Sequence, residues 1–199
     1  MKELILVVGR AKVRVDAGFS KVGRGFKDPS PADRAALVLA ARAVSGANAL
    51  SALCERGHAN EALPLLRAVA EWSLALRWVC AADSDARAQA AFAELDAAWD
   101  GVWPSSRLRE RAEAFGVPAG ALASALDSAP FFSRGNAQGL PWGHAAASSC
   151  LPGKSPAELL SACAVFLGHA LAALDGRWPG EFPGAEEMWA GAVNSRGQS

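Results

Sequence analysis

The chain has 199 residues with 20 basic and 20 acidic side chains, so its formal charge is zero and no overall field draws it to nucleic acid or an anionic membrane. It contains 45 Ala, 22 Leu and 15 Arg but no Thr, no Tyr, one Ile and 13 Val. Helices draw on the first set and strands on the second, so a sheet-based fold is all but excluded and the chain reads as all-α. The length suits one well-buried core, and residues 1–193 read as a single helical domain followed by a flexible tail at 194–199. With so much Ala, large core side chains are scarce. Helix axes must therefore approach closely, with Phe, Trp and Leu as fillers, and such contacts tolerate little enlargement.

Residues 3 to about 25 open the chain. Val13 and Val15 alternate with polar neighbours as in a strand, but Leu4, Val8, Ala11, Val15 and Phe19 fall at helical spacing. No partner strand is evident, so a helix is preferred, with Gly18, Gly23 and Gly25 fraying its end. Ser30, Pro31 and Asp33 then form an N-terminal capping signature for a helix running to Arg56, with Gly57 just past its end. Leu39, Ala43, Leu50 and Leu53 line one stripe of it, and Leu37, Ala41 and Val44 an adjacent one.

A third helix starts near Asn60 or Pro64 and reaches about Ala82. Leu65, Val69, Trp72, Leu76 and Val79 form one face, and Leu66, Ala68, Ala70, Ala75 and Ala81 make the rest apolar, which marks a central helix. Asp83 or Ser84 caps a fourth, in which Ala88, Phe92, Leu95 and Trp99 form a buried stripe until Pro104 stops it. A short charged helix follows from Ser105 or Ser106 to Phe115, closed by Gly116. Pro118 opens another that ends near Asp127. Residues 128–154 hold Pro, Gly and aromatic residues without periodicity, a long loop of the kind that often carries function. Ser155, Pro156 and Glu158 repeat the capping signature before the last long helix, which buries Leu159, Cys163, Phe166 and Ala170 and ends at Asp175 and Gly176. A short helix spans roughly Glu186 to Val193. The sum is a bundle of about five main helices with a long loop before the last long one.

Charge is uneven along this bundle. Residues 1–27 carry seven basic side chains against Glu3 and Asp16, whereas residues 155–199 carry five acidic ones against Arg177 and Arg196. The two ends either attract each other or are simply solvated. Cys54, Cys80, Cys150 and Cys163 show no C-x-x-C spacing and read as reduced thiols, mostly buried. The apolar start at Met1 to Val8 runs into Arg10, Lys12 and Arg14, where a cleavage site would need small residues. Arg42 and His169 interrupt the longest apolar runs short of the ~20 uncharged residues that span a bilayer. A cytoplasmic protein with no membrane partner is expected.

Chemistry concentrates at few places. Arg67 and Glu71 lie one turn apart on a helix that otherwise reads as buried, where charge is costly unless paired. They are either a structural ion pair tying the central helix to a neighbour or the lining of a polar pocket in the bundle. In the loop sequence Leu140-Pro141-Trp142-Gly143-His144, the imidazole of His144 has the chemistry of a general base or, beside Trp142, of a stacking contact. His58 reads as a charge partner for a helix C-terminus and His169 as a core histidine. Arg107, Arg109 and Arg111 alternate beside Glu110 and Glu113 and read as a solvated face. Trp72, Trp78 and Trp99 stand at core spacing. Three His and four Cys without short spacings argue against a metal site, no cofactor is expected, and G-x-G-x-x-G, G-x-x-x-x-G-K, G-x-S-x-G and H-E-x-x-H are all missing.

The segment Glu61-Ala62-Leu63-Pro64-Leu65-Leu66-Arg67-Ala68-Val69-Ala70-Glu71, followed by Trp72 and Trp78, resembles the Arg-x-x-x-Glu helix of a broad group of bacterial all-helical domains of unknown function, over roughly residues 45–100. The resemblance implies a helical bundle with Arg67 and Glu71 facing inward and brings no established activity. A second resemblance is to the HEPN ribonucleases, dimerising helical bundles of defence or toxin–antitoxin type systems that use an Arg-x(4 to 6)-His motif. Its candidate catalytic pair here is Arg134 and His144, with nine residues between them. The leading expectation is a binding domain, for a second copy, a partner protein or a small ligand, with Arg67, Glu71, Trp142 and His144 at the site. A metal-independent ribonuclease is the alternative.

Overall fold

The first thirty residues set the pattern of the whole molecule: a computed structural model shows a helix, a tight glycine turn and a cap that starts the next helix. The structure describes residues 1–25, 27–81, 84–97, 105–126 and 155–194. Among them are eight α-helices and no strand: α1 (Lys2–Val22), α2 (Pro31–Glu55), α3 (Ala59–Val79), α4 (Ser84–Ala97), α5 (Ser105–Ala114), α6 (Ala119–Leu126), α7 (Pro156–Arg177) and α8 (Ala185–Asn194). Five of them are long, as the periodicity requires. The 128–154 loop with Arg134, Trp142, His144 and Cys150, the residues Asp83, Trp99 and Pro104, the tail from 195, and the side chains of Phe92 and Leu95 lie outside the described residues.

Both capping signatures form as boxes. The Ser30 hydroxyl accepts from the Asp33 N–H while the Asp33 carboxylate accepts from the Ser30 N–H, and Ser155 and Glu158 do the same for α7. Two helices end on glycines in the left-handed region, Gly57 at φ 85° and Gly116 at φ 66°. At each, the N–H two residues past the cap reaches back to the third carbonyl from the helix end, His58 to Leu53 and Val117 to Ala112, both at 2.9 Å. The N-terminal segment is a helix, not a strand, to Val22, followed by one 3-10 turn at Gly23–Gly25.

The core is one cluster of buried residues drawn from all eight helices, with α3 packed between α2 and α7. Centrality was expected of α3. It is stronger still in α7, where every residue from Leu159 to Leu171 is buried. Ala at so many of its positions lets neighbours approach from every side, so no single stripe stands out.

Close approach is also what the glycines provide. Gly18 does not fray α1 but lies buried within it, and the Phe182 ring occupies the space a Cβ would need. Gly168 of α7 seats the Trp189 indole in the same way, and at Gly46 of α2 a Cβ would stand 2.9 Å from the Trp72 ring. Large rings thus enter glycine holes in helices otherwise walled by methyl groups.

By length and composition α2 and α7 are both apolar enough to cross a membrane, despite Arg42 and His169. For α7 this apolarity serves the bundle, since 83 % of its apolar window is buried. The two charged ends of the chain do meet. Arg10 lies 2.5 Å from Glu187, Arg14 also pairs with Glu187, and Lys21 reaches Glu181 at 3.1 Å. The Arg10 hydrogen bond first, and Arg14 with it, holds the Glu187 carboxyl below its usual range. These contacts clasp α8 to α1.

A second polar tie joins three helix ends. Arg177, at the end of α7, donates through Nε to Asp33 at 2.8 Å and through Nη2 to the Ser30 hydroxyl at 3.1 Å, and its Nη1 lies 3.4 Å from the Ser84 hydroxyl. Asp85 of α4 accepts from the Ala32 N–H at 3.1 Å. Burial raises the Asp33 pKa, but the Ser30 N–H and Arg177 outweigh it and hold the carboxyl below its usual value. Asp33 therefore serves its own helix cap and the α7 guanidinium together.

Candidate functional site

Helix α3 carries a pair of charged side chains in the interior. Arg67 and Glu71 are 3 % and 4 % exposed, and Arg67 Nε donates to a Glu71 carboxylate oxygen at 2.5 Å. The inward orientation expected from the sequence is therefore present. One turn of helix brings the two heads together without distortion. Burying them costs several kcal/mol per ion before pairing, which the short contact offsets. Pro64 sits within the first two turns of the same helix, where it removes the N–H that would bond the Asn60 carbonyl.

Seven residues beyond Glu71, on the same face of the helix by its 3.6-residue period, stands Trp78. Two guanidiniums lie over its ring. Arg111 of α5 is 4.4 Å from the ring centroid and Arg87 of α4 is 5.3 Å away. Arg87 also donates Nη1 to the Trp78 carbonyl at 3.1 Å, one of the acceptors that a helix C-terminus leaves open. Arg77, the residue before Trp78, lies 5.0 Å from the centroid of Phe115, which follows directly on the end of α5. Arg111 is only 3 % exposed, so it does not belong to a solvated face; Arg107 and Arg109 do. The reason lies in the packing of α5 on α3: the helical turn that aims Leu108 and Ala112 into the core carries Arg111 in with them, and Trp78 offers a π face for the charge. The C-terminal carbonyls of α3 favour cations at this end.

His169 is a core histidine, as expected, 4 % exposed on α7 and hydrogen-bonded through Nδ1 to Arg77. Because a guanidinium only donates, Nδ1 is the acceptor and the proton sits on Nε2. Burial first, and the Arg77 charge second, lower its pKa from 6.5 to about 4. The unfolded chain therefore takes up this proton before the folded one does. The contribution to stability is complete above pH 6.5 and is lost as pH falls toward 4, a loss of about 3 kcal/mol. Urea midpoints measured between pH 7 and 4 should fall more steeply for the natural chain than for His169→Gln, and parallel curves would contradict the assignment.

The remaining candidates separate from this region. His58 is exposed, at the N-cap of α3, its Nδ1 3.9 Å from Glu61 rather than bonded to the end of α2. Burial pushes the thiols of Cys54 and Cys80 up to about 11 and that of Cys163 higher still, so all three are poor nucleophiles and poor metal ligands at neutral pH. Among the described residues no three His, Cys, Asp or Glu side chains gather as a metal set would require. Ser73 on α3 is fully buried, and its hydroxyl finds no hydrogen-bond partner among the described residues.

The sequence reading named Arg67 and Glu71 as candidates and placed Trp78 in the core; it did not single out the arginines around Trp78. The one local signal for them was Trp78 itself, an aromatic near a helix end flanked by Arg77.

Comparison with known proteins bears on this same stretch. Residues 33–99, a third of the chain spanning α2, α3 and α4, match the model of a family of unknown function (DUF5677). This agrees with the resemblance read from the Arg-x-x-x-Glu helix and lends no support to the HEPN one. Neither the curated proteins nor the solved structures yield a match.

Proposed function

We propose that this helical domain acts by binding, holding a small ligand against the α3 seam formed by Arg67, Glu71 and Trp78. The observation that carries the reading is the placement of charge. In a bundle walled by alanine, two of the buried charged side chains among the described residues, Arg67 and Glu71, share one face of α3, and where that face ends the buried Arg111 of α5 and Arg87 of α4 gather on Trp78. Bundle proteins build ligand sites from such inward polar groups on facing helices, and an aromatic face beside them adds apolar contact. The matched family span carries Arg67, Glu71, Trp78 and Arg87, so the seam belongs to the unit shared with that family and not to the additions around it.

Trp78→Phe keeps a π face and the volume of a core-edge ring while removing the larger indole surface. Ligand-observed NMR with pooled metabolites should show signals attenuated by the natural chain and restored, at least in part, with Trp78→Phe. A metabolite held equally well by both chains, with the same affinity in Glu71→Gln, would place binding elsewhere and end this reading.

A further inference from the structure

Helix α1 carries two packing seams, of which the bundle uses one. The buried stripe is Leu4, Val8, Ala11, Val15 and Gly18. A second stripe, Lys2, Leu6, Gly9, Val13 and Asp16, has the same alternation of four and three residues but runs two residues out of step, which places it on the opposite side of the helix. All five of its residues are exposed. Leu6 at 60 % and Val13 at 67 % are the two most exposed large hydrophobic side chains among the described residues.

Glycine in the middle of a helix is unfavourable, because it gives up more backbone freedom than Ala and adds no side chain to pack. Elsewhere in this bundle such glycines make room for a neighbour: Gly18 for Phe182, Gly46 for Trp72, Gly168 for Trp189 and Gly191 for Val7. At Gly9 a Cβ would meet nothing within 4 Å. The room it leaves is unused among the described residues and suits a second helix, whose axis can approach closely where the side chain is missing.

Charge selects that second helix. Lys2 and Asp16 stand equally far before and after Gly9. An antiparallel crossing of two copies at Gly9 brings each Lys2 to the partner's Asp16 and sets each Leu6 within one residue of the level of the partner's Val13. A parallel crossing would instead place like charges against each other. Arg10 also nears the crossing, but Glu187 of its own chain already balances it. Asp16 accepts from Lys12 through Oδ2, which leaves Oδ1 to face the partner's Lys2.

We propose that the outer face of α1 is a self-association surface, on which two copies of this chain pair antiparallel through Lys2, Leu6, Gly9, Val13 and Asp16 about a two-fold axis at Gly9. A single helix seam buries little area, so the dimer is weak and concentration-dependent. It involves no residue of the α3 seam and stands apart from the binding reading above.

Sedimentation equilibrium of the full chain, from micromolar concentrations to about 1 mM, should show monomer passing into dimer. Leu6→Glu should weaken association by about tenfold or more. Gly9→Gln should weaken it as much while raising the thermal midpoint of the dilute monomer, since Gln is the better helix former. Lys2→Glu and Asp16→Lys should each weaken association and together restore it, a recovery that mere damage to the monomer would not produce. A chain still monomeric at about 1 mM, a dimer indifferent to Leu6→Glu and Gly9→Gln, or a charge exchange that restores nothing would overturn the proposal. So would Leu6-dependent binding of the monomer to vesicles of anionic lipid, which would assign this face to a membrane surface.

Discussion

Replacing Arg67 with Met or Glu71 with Gln, one at a time, is expected to lower the unfolding free energy by about 3–5 kcal/mol, and the double replacement to cost less than the two single ones combined. Each single change removes one side of the 2.5 Å contact in a site that is at most 4 % exposed. The partner keeps its desolvation cost while losing that contact. In the double variant neither charge remains, so the same seam packs as a nearly apolar core. Urea titration of the four chains at pH 7 gives the coupling energy directly. Single variants within 1 kcal/mol of the natural chain would show that the pair is solvated in solution, contrary to its burial against the bundle. If Arg67 and Glu71 serve a ligand as well, the double variant should regain stability without regaining binding. That outcome separates a structural pair from a functional one, a distinction that stability alone cannot make.

Much of this architecture is written locally in the chain. Ser30 with Asp33 and Ser155 with Glu158 are legible as caps because the cap depends on residues three apart, and the structure forms both boxes. Arg67 and Glu71 are legible for the same reason: two charges one turn apart in an otherwise apolar helix must meet. What depends on a distant partner is not legible. Gly18 reads as a helix breaker until Phe182, far along the chain, is seen to fill its missing Cβ. Arg111 alternates with Arg107 and Arg109 on a short charged helix, and only the position of Trp78 shows which of the three turns inward. Arg177 carries no local sign of its reach to Asp33 and Ser84. The opposite charges of the two chain ends could be read as attraction or as solvation, and the contacts of Glu187 with Arg10 and Arg14 show attraction. The binding expectation for Trp142 and His144 rested on loop composition, and those residues are not among the described ones, so the seam on α3 now carries the functional reading.

The matched family span ends at residue 99, yet the C-terminal part of the chain is built into the same core, and Phe182 tests how firmly. Its ring is fully buried, edge-on to Phe19 at a centroid distance of 5.3 Å and 5.7 Å from Trp178. Its N–H and that of Gly180 are both accepted by Asp175, which turns the chain back from α7 toward α1. Phe182→Ala should therefore cost about 3–5 kcal/mol, the range for truncating a buried aromatic into a cavity. Gly18→Ala sharpens the test. In the natural chain the added methyl collides with the Phe182 ring, and an overpacked core contact costs about 1–3 kcal/mol. With Phe182 already truncated, that methyl enters the vacated space, and the usual preference of a helix for Ala over Gly, about 1 kcal/mol, turns the same substitution stabilising. The sign reversal is the expected result, read from denaturant midpoints of the four chains. Additive costs would mean that Phe182 does not sit on Gly18. A two-step unfolding curve for Phe182→Ala would mean that residues 178–194 fold apart from the helices that carry the seam.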